Sequence, residues 1–146
     1  MATTRNAAAA VVLSLIIAAC TGGTGEVEVS LFEWSVEPST SSVASGEVTF
    51  VATNDGGEAH ELVIVKDMAP GDLPTDDTGK VVEDDLPEGA FIGEIEEFAA
   101  GETESATFDL APGTYTLFCN IVEEEDTGVF ESHFQEGMVT TIEVTG

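Results

Sequence analysis

From position 27 onward the chain sets apolar residues at every second position in short runs, and turn signals break the runs at near-regular intervals. That alternation decides which side chains can share an interior. Val27, Val29 and Leu31 alternate, and then Phe32, Trp34 and Val36 continue on the opposite parity. A phase change of this kind predicts a bulge or a bend between two sheets. Residues 38–45 are turn-rich. In the run 47–54, Val48, Phe50 and Ala52 share a face; Asp55-Gly56-Gly57 turns the chain, and 60–66 is a near-continuous apolar strand with His60, Leu62 and Ile64 on one side. Further strands are predicted at 91–98, at 103–110 with Ala106, Phe108 and Leu110 inward, at 114–119 with Tyr115, Leu117 and Cys119 together, and at 138–145 with Met138, Ile142 and Val144 together. Residues 67–90, with Pro70, Pro74, Pro87 and several Asp, predict an irregular excursion holding a helical turn or a short strand near 80–82. No helical period and no internal repeat is present. Short strands with turns between them predict an all-β sandwich of about seven to eight strands.

The N-terminus obeys a different pattern. Residues 1–6 carry Arg5 and no acid, and residues 7–19 are apolar apart from Ser14. This is the layout of a secretory signal, too short to span a bilayer as a stable helix. It ends Leu15-Ile16-Ile17-Ala18-Ala19-Cys20, which resembles the lipobox of prokaryotic lipoproteins, with the single basic residue a departure from that pattern. The resemblance implies cleavage before Cys20 and lipidation of its thiol; ordinary cleavage nearby is the alternative. The chain therefore divides into a signal peptide at 1–19, a lipidated Cys20 with a flexible tether at 20–25, and one domain at 26–146. Export and a membrane anchor follow as expectations.

After Cys20 the chain holds one thiol, Cys119, two imidazoles, His60 and His133, and the thioethers Met68 and Met138. His60, Cys119 and Met138 sit at strand ends on the parity of the apolar residues, so they point into one end of the sandwich; His133 lies in a loop that can close over it. Singly, each has an ordinary reading as a core histidine, a buried thiol or a core filler. Together, with no other histidine and no disulfide partner for Cys119, they match the ligand set of a blue-copper site: two histidines, one thiolate and a weak axial thioether. Met68 lies in the irregular segment and ranks below Met138.

The residues around these positions carry a family resemblance. Asn54-Asp55-Gly56-Gly57-Glu58-Ala59-His60-Glu61-Leu62 resembles the Asn-x-Gly…His segment of cupredoxins, the plastocyanin and azurin superfamily. Gly113-Thr114-Tyr115-Thr116-Leu117-Phe118-Cys119 resembles the strand that runs into their cysteine ligand, and His133-x-x-x-Gly137-Met138 their closing histidine and methionine. The resemblance spans residues 27–144. It implies a Greek-key sandwich and one type 1 copper, with His60, Cys119 and His133 as strong ligands and Met138 as the axial one. Thirteen residues separate Cys119 from His133, a longer loop than small cupredoxins have, and Glu123-Glu124-Glu125-Asp126 lies within it.

The expected function is a single-electron carrier outside the cytoplasm, monomeric and without substrate turnover. Two other readings stay open: a copper storage or delivery protein without redox cycling, and a metal-free structural domain. The charge balance narrows the partners. With 29 acidic against 3 basic residues and a net charge of −26, the chain is unsuited to nucleic acid. Such an excess fits a surface solvated for high salt, or docking to a basic or membrane-bound redox partner. Self-repulsion in the compact state should be relieved as the Debye length falls from about 10 Å at 0.1 M salt to about 3 Å at 1 M. The melting temperature of the copper-loaded protein is therefore expected to rise across that range. A flat melting temperature, with a steep fall in the rate of electron transfer to a basic protein, would instead favour docking.

Overall fold

The computed structural model describes residues 25–146; the expected signal peptide and Cys20 lie outside the described residues. The chain from Gly25 forms two sheets packed face to face. The first takes β1 (Gly25–Phe32), β2 (Ser35–Pro38), β4 (Gly46–Asn54) and β7 (Thr103–Leu110) in the order β2-β1-β4-β7. The second takes β3 (Ser42–Ala44), β5 (His60–Lys66), β6 (Phe91–Phe98), β8 (Gly113–Phe118) and β11 (Val139–Thr145) in the order β3-β11-β8-β5-β6. β9 (Val122–Glu124) and β10 (Phe130–Ser132) make a separate hairpin, followed by a four-residue helical turn, α1 (His133–Glu136). The β1–β4 and β3–β11 pairs are parallel and the others antiparallel.

The period-two pattern does what was expected of it. Val27, Val29, Leu31, Val48, Phe50 and Ala52 from the first sheet meet Leu62, Ile64, Tyr115, Leu117, Ile142 and Val144 from the second in one core. β5 and β8 are buried on both faces, because residues 67–90 cross the outer face of the second sheet. There Val63, Val65 and Phe118 pack with Leu73, Val81 and Ala90. This explains the near-continuous apolar run of 60–66: a central strand covered on both sides has no solvent face to mark with polar residues.

Three expectations need correction. The phase change after Leu31 is neither a bulge nor a bend between sheets. β1 turns back at Glu33–Trp34 and pairs with β2 in the same sheet, Phe32 opposite Ser35. Gly25, expected at the end of the tether, is the first residue of β1 and pairs with Val48. Nine strands lie in the two sheets rather than seven to eight, because the 38–45 segment yields β3 and the return after Trp34 yields β2. The excursion at 67–90 is irregular as read, with two short 3-10 turns, Pro70–Asp72 and Glu83–Asp85, and a bridge between Thr75 and Val81.

Candidate metal centre

The strand ends converge as the parity implied. His60 opens β5, Cys119 follows β8 directly, and Met138 precedes β11 directly. The Cys119 amide donates to the Met138 carbonyl at 3.0 Å, and the Met138 amide to the His133 carbonyl at 2.9 Å, so all three are tied through the backbone. His133 departs from expectation in one respect. It is the first residue of α1 rather than a loop residue, and Ser132 caps that turn by accepting from the Gln135 amide at 3.3 Å. Gly137 ends the turn at φ 123°, a left-handed conformation that glycine adopts without strain. His60, Cys119, His133 and Met138 are all fully buried. Met68 lies on the other side of the second sheet, against the cluster that contains Phe118, whereas Met138 shares the inner core with Cys119.

Three donor atoms form a triangle. His60 Nδ1 and His133 Nδ1 are 3.3 Å apart, Cys119 Sγ is 3.4 Å from His133 Nδ1, and it is 4.0 Å from His60 Nδ1. Nitrogen and sulfur donors bind first-row ions at about 2.0–2.3 Å. A trigonal set at that radius has its donors about 3.5–4.0 Å apart, close to the spacings seen. The residues present therefore fit a copper ion.

The far side of each ring sharpens the point. His60 Nε2 lies 3.1 Å from Glu33 Oε1, and His133 Nε2 lies 3.7 Å from Glu58 Oε2. The Glu33 carboxylate favours the His60 tautomer that carries its proton on Nε2 and leaves Nδ1 as an acceptor, whereas Glu58 lies beyond hydrogen-bond distance of His133 Nε2. The two Nδ1 atoms lie 3.3 Å apart beside the Cys119 sulfur, at the spacing that three ligands of one metal ion require. Burial, and then the neighbouring His133, push the His60 pKa down, so that ring is neutral. Burial pushes the Cys119 thiol up to about 12, against the opposing pull of the Glu61 amide, which donates to Sγ at 3.5 Å. Ligation must therefore displace a proton from sulfur.

Other residues hold the donors in place. Asn54, at the end of β4, donates from Nδ2 to the carbonyls of Glu58 and Phe98 at 2.8 and 3.2 Å and accepts from the Gly56 amide at 3.1 Å. It thereby shapes the loop that delivers His60. Asn120 exchanges two hydrogen bonds with the Val81 backbone, at 2.7 and 3.0 Å, and its own amide donates to Glu61 at 3.1 Å. Burial first, and Glu94 second, push the Glu61 carboxyl up to about 7. The amides of Glu58 and Gly57 hold the Glu33 carboxyl down at about 2 in spite of partial burial. Trp34 packs edge-on against His133, with ring centroids 5.3 Å apart. Asn54 was visible in the Asn-x-Gly segment, though not its role. Glu33 and Trp34 carried no signal, since only the hairpin turn brings them to His60 and His133.

Comparison with known proteins agrees with this geometry. Residues 25–145 match a family described as copper binding proteins, plastocyanin/azurin family. Among solved structures, the chain is similar to dithionite-reduced auracyanin from the photosynthetic bacterium Roseiflexus castenholzii, at 20% identity over 86% of this chain and 100% of that one, with a TM-score of 0.56. It is similar to auracyanin A, a "blue" copper protein from Chloroflexus aurantiacus, at 19% identity over 84% and 100%, with a TM-score of 0.55. Rusticyanin from Thiobacillus ferrooxidans shares 18% identity over 86% and 79%, with a TM-score of 0.51. These likenesses concern the fold. No curated protein sequence matches significantly.

Asn54→Ala removes three hydrogen bonds from a fully buried position. It is expected to cost about 1–3 kcal/mol, the range for polar groups left unpaired on burial. Urea denaturation of the copper-loaded variant measures this. A loss below about 0.5 kcal/mol would show that the loop before His60 is held by something else.

Proposed function

We propose that this chain, which belongs to the plastocyanin/azurin family of copper binding proteins, carries single electrons through one type 1 copper site. The observation that supports the reading most is the buried triangle of His60 Nδ1, His133 Nδ1 and Cys119 Sγ, the three atoms within 4.0 Å of one another. His60, Cys119 and His133 would hold the copper, with Met138 as a further, weaker thioether ligand. Copper held by such a set would supply one-electron chemistry between Cu(II) and Cu(I), since thiolate suits the reduced ion and imidazole suits both.

The protein's part is to keep the donors where they are in both states. Cys119 and Met138 are tied to each other through the backbone, the Glu61 amide points at the sulfur, and His60 starts a strand paired on both sides. Little has to move when the charge changes. Burial of all four side chains excludes water and leaves no approach for a substrate, in keeping with a carrier rather than an enzyme. The half-buried Trp34 packs edge-on against the His133 ring.

We place the carrier outside the cytoplasm, anchored through lipid on Cys20 after removal of residues 1–19, as a monomer serving basic or membrane-bound redox proteins. The support for export and the anchor is the N-terminal sequence pattern. More than one acyl chain would be needed for stable anchoring. None of the described helices is long and apolar enough to cross a membrane.

Cys119→Ser tests the reading. The two side chains are nearly isosteric, so the variant should fold as the parent does. It should lose the intense thiolate-to-copper absorption that the parent acquires with one equivalent of Cu(II). A variant that stayed blue would place the copper elsewhere. A parent that binds only Cu(I), without colour, would favour storage or delivery.

A further inference from the structure

We propose that Glu33 and Glu58 are positioning residues for the copper site, a pair of carboxylates that steady the outward nitrogens of His60 and His133 and lower the reduction potential. The inference rests on the copper reading above. It begins with the Glu33 carboxylate, whose Oε1 does three things at once. It accepts from the Gly57 amide at 2.8 Å and the Glu58 amide at 3.0 Å, and it faces His60 Nε2 at 3.1 Å. Two backbone donors fix this oxygen on its loop side, so the imidazole meets a preplaced acceptor and not the end of a freely moving arm.

Glu58 repeats the arrangement on the second ring. Its Oε2 lies 3.7 Å from His133 Nε2, and both atoms are buried without any other hydrogen-bond partner. A Glu123 carboxylate oxygen also stands within 4.8 Å of this pair without bonding either atom, and a shift of a few tenths of an ångström would pair Glu58 with His133. The same short loop therefore supplies Glu58 to one imidazole and the amides that hold Glu33 against the other.

Gly56 shows how closely the loop is fitted. A Cβ at that position would lie 2.8 Å from His60 Nε2 and would run into the Glu33 carboxylate. The glycine leaves the space in which carboxylate and imidazole meet.

The electrostatic consequence has a sign. An anion behind each imidazole raises the ring's basicity as a ligand and adds negative potential at the metal. Both effects favour Cu(II) over Cu(I), so the pair holds the potential down. Glu33 and Glu58 are partly open to solvent, with side chains 28% and 41% exposed, so screening limits the effect and makes it larger at low salt.

Glu33→Gln in the copper-loaded full chain keeps an oxygen that accepts from Nε2–H and removes only the charge. The midpoint potential is expected to rise by the equivalent of a threefold to tenfold loss of preference for Cu(II), where tenfold is about 59 mV for one electron. Glu58→Gln should shift it the same way and by less, because its contact is longer. Gly56→Ala leaves every charge in place but displaces Glu33; it should raise the potential and alter the copper hyperfine splitting as His60 loosens. If Glu33→Gln fails to fold, the other two variants decide. Blue, folded variants with an unmoved or lowered midpoint would overturn the proposal and leave the copper reading intact. A parent chain with no thiolate absorption would overturn both.

Discussion

Two imidazole nitrogens 3.3 Å apart, with a sulfur 3.4 Å from one of them, set the condition that the rest of this end of the molecule serves. All three residues are fully buried, so three donor atoms converge where water does not reach. Burying polar atoms is costly unless they find partners. A cation at the centre of the triangle is such a partner. The same geometry therefore accounts for affinity and for the choice of soft and intermediate donors that suits copper.

The sandwich keeps that arrangement from relaxing. His60 and Cys119 stand at the same end of neighbouring antiparallel strands, β5 and β8, and Met138 at the start of β11 on the far side of β8. Collapse of the triangle would require moving strands whose other residues form the core. The segment 67–90 reinforces the site from outside. Asn120, next to the thiol, is bonded to Val81, and Ser132, next to His133, donates to the Gly79 carbonyl at 2.8 Å. An excursion with little regular structure thus clamps both ends of the long connection between Cys119 and His133. The extra length of that connection folds outward as the β9–β10 hairpin, which carries the acidic run and the exposed Val129 and Phe130.

Much of this was legible in the sequence because a period of two is a local rule. Val27, Val29 and Leu31, or Tyr115, Leu117 and Cys119, declare their face through neighbours two positions away, and that parity put Cys119 in the inner core. Features that depend on contacts distant in sequence were not legible. Glu33 reaches His60 across 27 positions, through a turn that the change of parity disguised as a bend between sheets. β3 forms only because β11, about a hundred residues later, supplies a parallel partner for Ser42, Val43 and Ala44. The helical turn at His133 is four residues long, too short to show a period, and it owes its form to the Ser132 cap and the glycine at its end.

The claim that His60, Cys119 and His133 together hold copper is tested most directly by X-ray absorption at the copper edge, on oxidised protein loaded with one equivalent of metal. The account predicts one copper per chain, bonded to two imidazole nitrogens and one sulfur, with the copper–sulfur bond retained on reduction. A copper surrounded only by oxygen and nitrogen, or a metal content well below one per chain after loading, would contradict it.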